Sequence, residues 1–196
     1  LIKQALSLVL AIMMITTSVP VFAITATEAT LSIGDVKAVP GQTVSVNISV
    51  ENNPGIATAI FTVTYNNDAM TLNAVELDQE FGGTYTPGPS LNSPVSVTWD
   101  SSTDNMNNGN MFKLTFDISD EADAGEVYDI KISYGVGNIC NLDEDDVDFQ
   151  IDNGTITIVN PLPGDINCDQ AVNAKDLTRM RKYFANWDVE VDPIAL

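Results

Sequence analysis

The chain has 196 residues, 27 of them Asp or Glu against 8 Lys or Arg, with no His and a net charge of −19. That balance excludes binding to nucleic-acid phosphates, and the lack of His removes His-based catalytic triads and the commonest zinc ligand. The length suffices for one substantial core and a small appendage. At the N-terminus, Lys3 precedes an apolar run from Ala5 to Ile15, and Val21-Phe22-Ala23 places small residues at a cleavage position. Residues 1–23 read as a secretory signal peptide, giving a secreted, extracellular chain. The run is shorter than the roughly 18 apolar residues of a membrane span, so the mature chain is expected to have none. Residues 24–28 form a short linker.

From residue 29 to 159 apolar and polar residues alternate in short segments, the period of strands. Val44, Val46, Ile48 and Val50 share a face, followed by Val95, Val97 and Trp99, then by Phe112, Leu114, Phe116 and Ile118, then by Tyr128, Ile130, Ile132 and Tyr134. Ile151 and the run from Thr155 to Ile158 close the series. Pro40-Gly41, Asn53-Pro54-Gly55, Gly82-Gly83, Pro87-Gly88-Pro89 and Asn107-Asn108-Gly109 separate these runs, and no long helical period intervenes. The expected fold is an all-β, antiparallel sandwich, each strand with one inward face. Trp99 falls in step with the core set and reads as core rather than as a sugar platform.

The order of residues within these runs is more specific. Gly55-Ile-Ala-Thr-Ala-Ile-Phe-Thr-Val-Thr-Tyr65, Met70-Thr-Leu-Asn-Ala-Val75, Val97-Thr-Trp-Asp100, Phe112-Lys-Leu-Thr-Phe116 and Ala124-Gly125 before Tyr128-Asp-Ile130 resemble the consecutive strands of a cohesin. The resemblance implies a nine-stranded jelly-roll sandwich without catalytic residues that receives dockerin-bearing proteins. Alternation along the segment from Ala57 to Tyr65 sets Thr58, Ile60, Thr62 and Thr64 opposite Ala57, Ala59, Phe61, Val63 and Tyr65. The resemblance places partner contacts at Thr58, Ile60 and Thr62. Many cohesins carry Asn and Asp at the first two of these positions, so this chain departs from the family there. Ile60, the one large apolar side chain among threonines, becomes a candidate contact.

Asp143-Glu-Asp-Asp-Val-Asp148 is the densest acidic run and reads as a solvated loop. The two cysteines, Cys140 and Cys168, fall in different expected units, so no disulfide is expected.

After a linker at residues 160–163, the segment from Asp165 to Asp176 sets oxygen side chains at loop positions 1, 3, 5, 9 and 12, an EF-hand-like calcium spacing. Asp165, Asn167 and Asp169 would supply side chains, Ala171 its backbone carbonyl, Asn173 a direct or water-borne contact, and Asp176 a closing carboxylate to Ca2+. Gln170 stands where the motif has Gly, and Asp176 where it has Glu. Leu177, Met180 and Phe184 then recur at i, i+3 and i+7, which predicts a short amphipathic helix. Pro163 to Ala185 resembles one repeat of a dockerin, the calcium-dependent docking module of cellulosome components. The family ends its loop in Asp, and residues 164–196 would be a partial dockerin with its first repeat only. The resemblance implies that Ala174, Lys175, Arg181 and Lys182 contact a cohesin of another scaffold.

Residues 24–160 carry a net charge of −18, whereas half of all basic residues sit at Lys175, Arg179, Arg181 and Lys182. No catalytic constellation stands out, and no enzymatic activity is expected. The favoured function is a secreted, non-catalytic scaffold or adaptor of a cellulosome-type complex for plant polysaccharide degradation. The alternative is a carbohydrate-binding sandwich associating with polysaccharide, for which Tyr85 and Trp187 are the free aromatics; a small glycan hydrolase is a third reading.

Overall fold

The computed structural model describes residues 27–160, 162–167, 169 and 171–185. The leader at residues 1–23 therefore lies outside the described residues, as do Cys168, Gln170 and Trp187. Twelve strands and one helix run in order: β1 (Thr30–Ile33), β2 (Val36–Ala38), β3 (Thr43–Glu51), β4 (Ile56–Thr64), β5 (Met70–Leu77), β6 (Thr84–Pro87), β7 (Val95–Asn105), β8 (Gly109–Ile118), β9 (Val127–Ser133), β10 (Ile139–Cys140), β11 (Gln150–Asp152), β12 (Gly154–Ile158) and α1 (Ala174–Phe184).

The strands form two sheets, ordered β11-β1-β3-β8-β5 and β2-β12-β9-β4-β7-β6, with β10 paired to β4. Alternation fixes which side of each strand faces in, because a shift of one residue would turn every apolar side chain to solvent. Val44, Val46, Ile48 and Val50 of β3, Val95, Val97 and Trp99 of β7, and Phe112, Leu114, Phe116 and Ile118 of β8 are all buried. So are Ile130 and Ile132 of β9, while Tyr128 and Tyr134 are half-buried against the same core. Edge-to-face rings join the sheets: Phe61 on β4 meets Phe112 on β8 with centroids 6.0 Å apart, and Tyr65 meets Phe116 at 5.1 Å.

Twelve strands stand where the resemblance implies nine, because the first and last runs each break in two and β10 adds a two-residue strand. β1 pairs with β3 and β11 in one sheet, whereas β2 pairs with β12 in the other. Both terminal runs thus switch sheets, at Gly34-Asp35 and at Asn153. A Cβ on Gly154 would lie 2.5 Å from the carbonyl oxygen of Gly34 and 2.6 Å from Ile33, so the two switches pack backbone against backbone. Asp35 locks them, its Oδ1 accepting from both the backbone and the hydroxyl of Thr155 at 2.8 Å. The β1–β11 and β2–β12 pairs are parallel, which corrects a purely antiparallel sandwich.

Trp99 is wholly buried, donates to the carbonyl of Gly82 at 2.9 Å and packs edge-on to Phe81, as expected of a core residue. Gly83 lies at φ 86° beneath it, and any Cβ there would collide with the indole. At the start of β4 the buried Asn53 ties two connections together. Its amide donates to the carbonyls of Asn105 (3.0 Å) and Asn107 (2.9 Å), and its Oδ1 accepts from Gly55 (3.1 Å). That corner anchors β4 beside the end of β7.

Candidate functional site

β4 lies between β7 on one side and β9 with β10 on the other. Its inward residues Ala57, Ala59, Phe61, Val63 and, just past its end, Tyr65 are buried, which leaves Thr58, Ile60, Thr62 and Thr64 to form the outer surface. Register carries this surface across the sheet. Thr84, Asp100, Thr58 and Cys140 share one row, Thr86, Thr98 and Ile60 the next, and Ser96, Thr62 and Ser133 a third. Rows of this kind set neighbouring side chains about 5 Å apart on one face. Ile60 is 39 % exposed in the middle of hydroxyl-bearing neighbours, and its backbone N–H donates to Asn138 at 2.8 Å.

One end of this face is acidic. Asp100 flanks Thr58 from β7, and Asp146 pairs with Cys140 on the far side of the same row. Asp104 accepts from the backbone of Leu142 at 2.8 Å, which draws the acidic loop toward β7. Asp143, Glu144, Asp145 and Asp146 are all exposed, in keeping with a solvated loop, while Val147 and Phe149 pin its far end to the core. Cys140 is a half-buried free thiol.

Tyr85 is not the free aromatic that the carbohydrate-binding alternative needs. It is half-buried, packs edge-on to Phe112 at 5.3 Å, and burial pushes its hydroxyl pKa up. The outer face of the sheet therefore has no aromatic from β6 to stack on a sugar ring.

The C-terminal loop closes on its own carboxylates. Asp165 and Asp176 are buried. The backbone N–H of Asp169 donates to Asp165 at 3.1 Å, and those of Asn173 and Asn167 donate to the two oxygens of Asp176 at 2.6 and 3.4 Å. Asp169 takes its own donors from the Asn167 amide at 3.0 Å, the Ala171 N–H at 3.1 Å and the Lys175 ammonium at 3.4 Å. These bonds hold both carboxyls below the ordinary range: for Asp169 the Asn167 amide matters most, for Asp176 the Asn173 N–H.

Asn173, expected only as a ligand, is also the N-cap of α1. Its Oδ1 accepts from Lys175 at 2.9 Å and its amide donates to the Ala171 carbonyl at 2.9 Å, while Asp176 returns a bond to complete a capping box. Among the described residues no three Asp, Glu, His or Cys side chains gather as a metal-holding group. A cation here would draw also on Asn167 and on backbone carbonyl oxygen. The donor chemistry fits a hard cation: oxygen from side chains and backbone, with Asp165 and Asp176 buried in the loop.

The expected helix forms from Ala174 to Phe184, and none of its apolar stripe is fully buried. Leu177 is 51 % and Phe184 72 % exposed, and the core cluster of the sandwich contains no residue of the helix. Of the basic residues, Arg181 turns toward the Leu177 side by helical periodicity. Lys175, Arg179 and Lys182, spaced i, i+4 and i+7, instead line one open groove with Ala174, Thr178 and Asn167. Arg179 is not among the contacts that the resemblance implies, although this spacing signals it.

Compared with known proteins, residues 29–158 match the model of the cohesin domain. No curated protein matches the chain. Among solved structures, the seventh ScaB type I cohesin from Pseudobacteroides cellulosolvens is 25% identical with a TM-score of 0.60, covering 69% of this chain and 95% of that one. The sixth cohesin of scaffoldin B from Acetivibrio cellulolyticus, solved in complex with a mutant Cel5 dockerin, is 22% identical with a TM-score of 0.61, covering 67% of this chain and 99% of that one. A non-cellulosomal cohesin from the hyperthermophilic archaeon Archaeoglobus fulgidus shares the fold at 17% identity and a TM-score of 0.60, covering 68% of this chain and 93% of that one. The family match runs through both sheets from β1 to the end of β12, and the chain belongs to the cohesin domain family.

Proposed function

We propose that this protein is a secreted, non-catalytic scaffold or adaptor of a cellulosome-type complex, whose sandwich captures dockerin-bearing proteins on the outer face of β4, β6 and β7. The observation that carries this reading is Ile60, exposed at the centre of a face built from Thr58, Thr62, Thr86, Thr98 and Ser96. An apolar centre ringed by polar groups is the usual anatomy of a protein contact. Thr58 and Ile60 replace the polar pair common in the family, so recognition here rests on apolar contact and hydroxyl groups, with Asp100 beside them. The dockerin in the Acetivibrio cellulolyticus complex supports the class of partner. The immobilised chain should retain dockerin-bearing proteins from culture fluid of the same organism, and Ile60→Asp should abolish retention without changing the fold. Equal retention by the variant would remove this face from the reading.

Residues 164–196, joined by the linker at 160–163, form one dockerin-like repeat that holds calcium through Asp165, Asn167, Asp169, Ala171, Asn173 and Asp176, and attaches the chain to another scaffold's cohesin. The oxygen donors spaced from Asp165 to Asp176, with Asp165 and Asp176 buried in the loop, support this, since a hard cation takes such a set. Calcium would bring positive charge among the carboxylates, and the chain's own backbone donors would keep them oriented. Ala174, Lys175, Arg181 and Lys182 then present the contact surface. Isothermal titration with calcium should show binding that Asp165→Ala removes; heat unaltered by that substitution would contradict the site.

A further inference from the structure

The outer face of β4 and β7 has a charge that its exposed apolar centre does not explain. Asp100 and Asp146 sit on either side of Thr58 along one row, Asp104 and the exposed loop from Asp143 lie beside them, and Lys131 on β9 is already engaged with Asp129 at 2.9 Å. The rest of the sandwich compounds this field, with a net charge of −18 over residues 24–160. An anionic partner would be repelled, so this face selects a basic one.

The same chain carries such a surface. Lys175, Arg179 and Lys182 occupy one stripe of α1, and the small residues Ala174 and Thr178 beside them let a partner approach the helix closely. Among the described residues, Lys175 alone of the three makes an ion pair, with Asp169 at 3.4 Å, and at 74% side-chain exposure that contact is weak. The stripe points away from Leu177 and Phe184 by helical periodicity, so it can dock without covering the apolar side.

We infer that a second copy of this chain is a partner of the sandwich: the Lys175–Arg179–Lys182 stripe of one copy docks on the Ile60 face of the next, between Asp100 and Asp146. The inference rests on the reading of that face as the capture surface and names a partner for it. Because the two surfaces differ, the contact is head-to-tail, and repetition adds copy to copy as rings or open chains.

Sedimentation of the full chain in calcium tests this. At low salt, about 20 mM, the mean mass should rise with concentration above the 21.1 kDa of one copy, and it should fall back near about 500 mM salt, where screening reaches only a few ångströms. A chain with Lys175→Glu, Arg179→Glu and Lys182→Glu should stay single, as should one with Asp100→Lys and Asp146→Lys. Mixed in equal amounts, the two should assemble again in alternation, because each then offers the charge that the other lacks. A single-copy mass at every concentration, persistent assembly by either variant alone, or a mixture that stays single would overturn the inference. Capture of dockerin-bearing proteins by a chain that never self-assembles would sink this contact and leave the scaffold reading standing.

Discussion

The sandwich and the loop-helix are stabilised by opposite means. In the sandwich, wholly buried side chains from both sheets pack around Trp99, Phe61, Phe112 and Phe116, so stability is spread over many apolar contacts. Among the described residues of the loop-helix, Asp165, Ile166 and Asp176 are buried, while Leu177 and Phe184 are exposed. An isolated helix shorter than about 12 residues is marginal in water, and α1 has 11. The described part of the loop-helix has no comparable apolar core.

The largest break in that contrast should come from Trp99→Ala, which removes a buried indole, its bond to Gly82 and its contact with Phe81. Urea unfolding of the sandwich should show a loss of about 3–5 kcal/mol, with the calcium titration of the loop unchanged. Chelation should do the reverse: the helical circular dichroism of α1 should disappear while the near-ultraviolet signal of Trp99 persists. A helix that survives chelator would contradict the proposed dependence on calcium. Next in size, Gly154→Ala should destabilise the sandwich by about 1–3 kcal/mol, because its Cβ meets the Gly34 carbonyl and Ile33 at the point where the terminal strands change sheets. Asn173→Ala should cost α1 about 1 kcal/mol through the lost cap and leave the urea midpoint of the sandwich untouched.

The smallest difference should appear in acid. Asp169 and Asp176 are held below the ordinary carboxyl range, so the stability they contribute is complete above the unfolded-state value and is lost as pH falls through the lowered one. Asp117 on β8 behaves likewise, chiefly through the Thr43 hydroxyl, but it is one carboxylate at the margin of a large core. Helicity should therefore stay level above about pH 5 and fall below about pH 4, before the sandwich unfolds. Simultaneous loss of both signals would erase the distinction.

Alternation along the chain was enough to place Val44 to Val50, Val95 to Trp99 and Phe112 to Ile118 in the core, and to turn Ile60 outward, because period-two burial is a local property. The sheet switches were not legible. They depend on Asp35 meeting Thr155 and on Gly34 meeting Gly154, contacts that link the two ends of the sandwich sequence. β10 is too short for any pattern, and only its pairing with Ala59 and Thr58 defines it. In the loop, spacing indicated oxygen ligands, but the capping role of Asn173 depends on where the helix begins. The stripe of Leu177, Met180 and Phe184 predicted the helix, but periodicity reports an apolar face whether or not anything covers it, and Leu177 and Phe184 are exposed.

The parallel alignment of the terminal strands has a mechanical consequence. β1 starts beside the start of β11, and β2 ends beside the end of β12, so the chain enters the sandwich at one end of these paired strands and leaves at the other. Tension applied through the chain before Thr30 and the chain after Ile158 would pull the paired strands along their length, in opposite directions. Their hydrogen bonds would share the load and have to break together, instead of opening one after another from a loose end. A fold closed in this way is suited to sit in the middle of a tether.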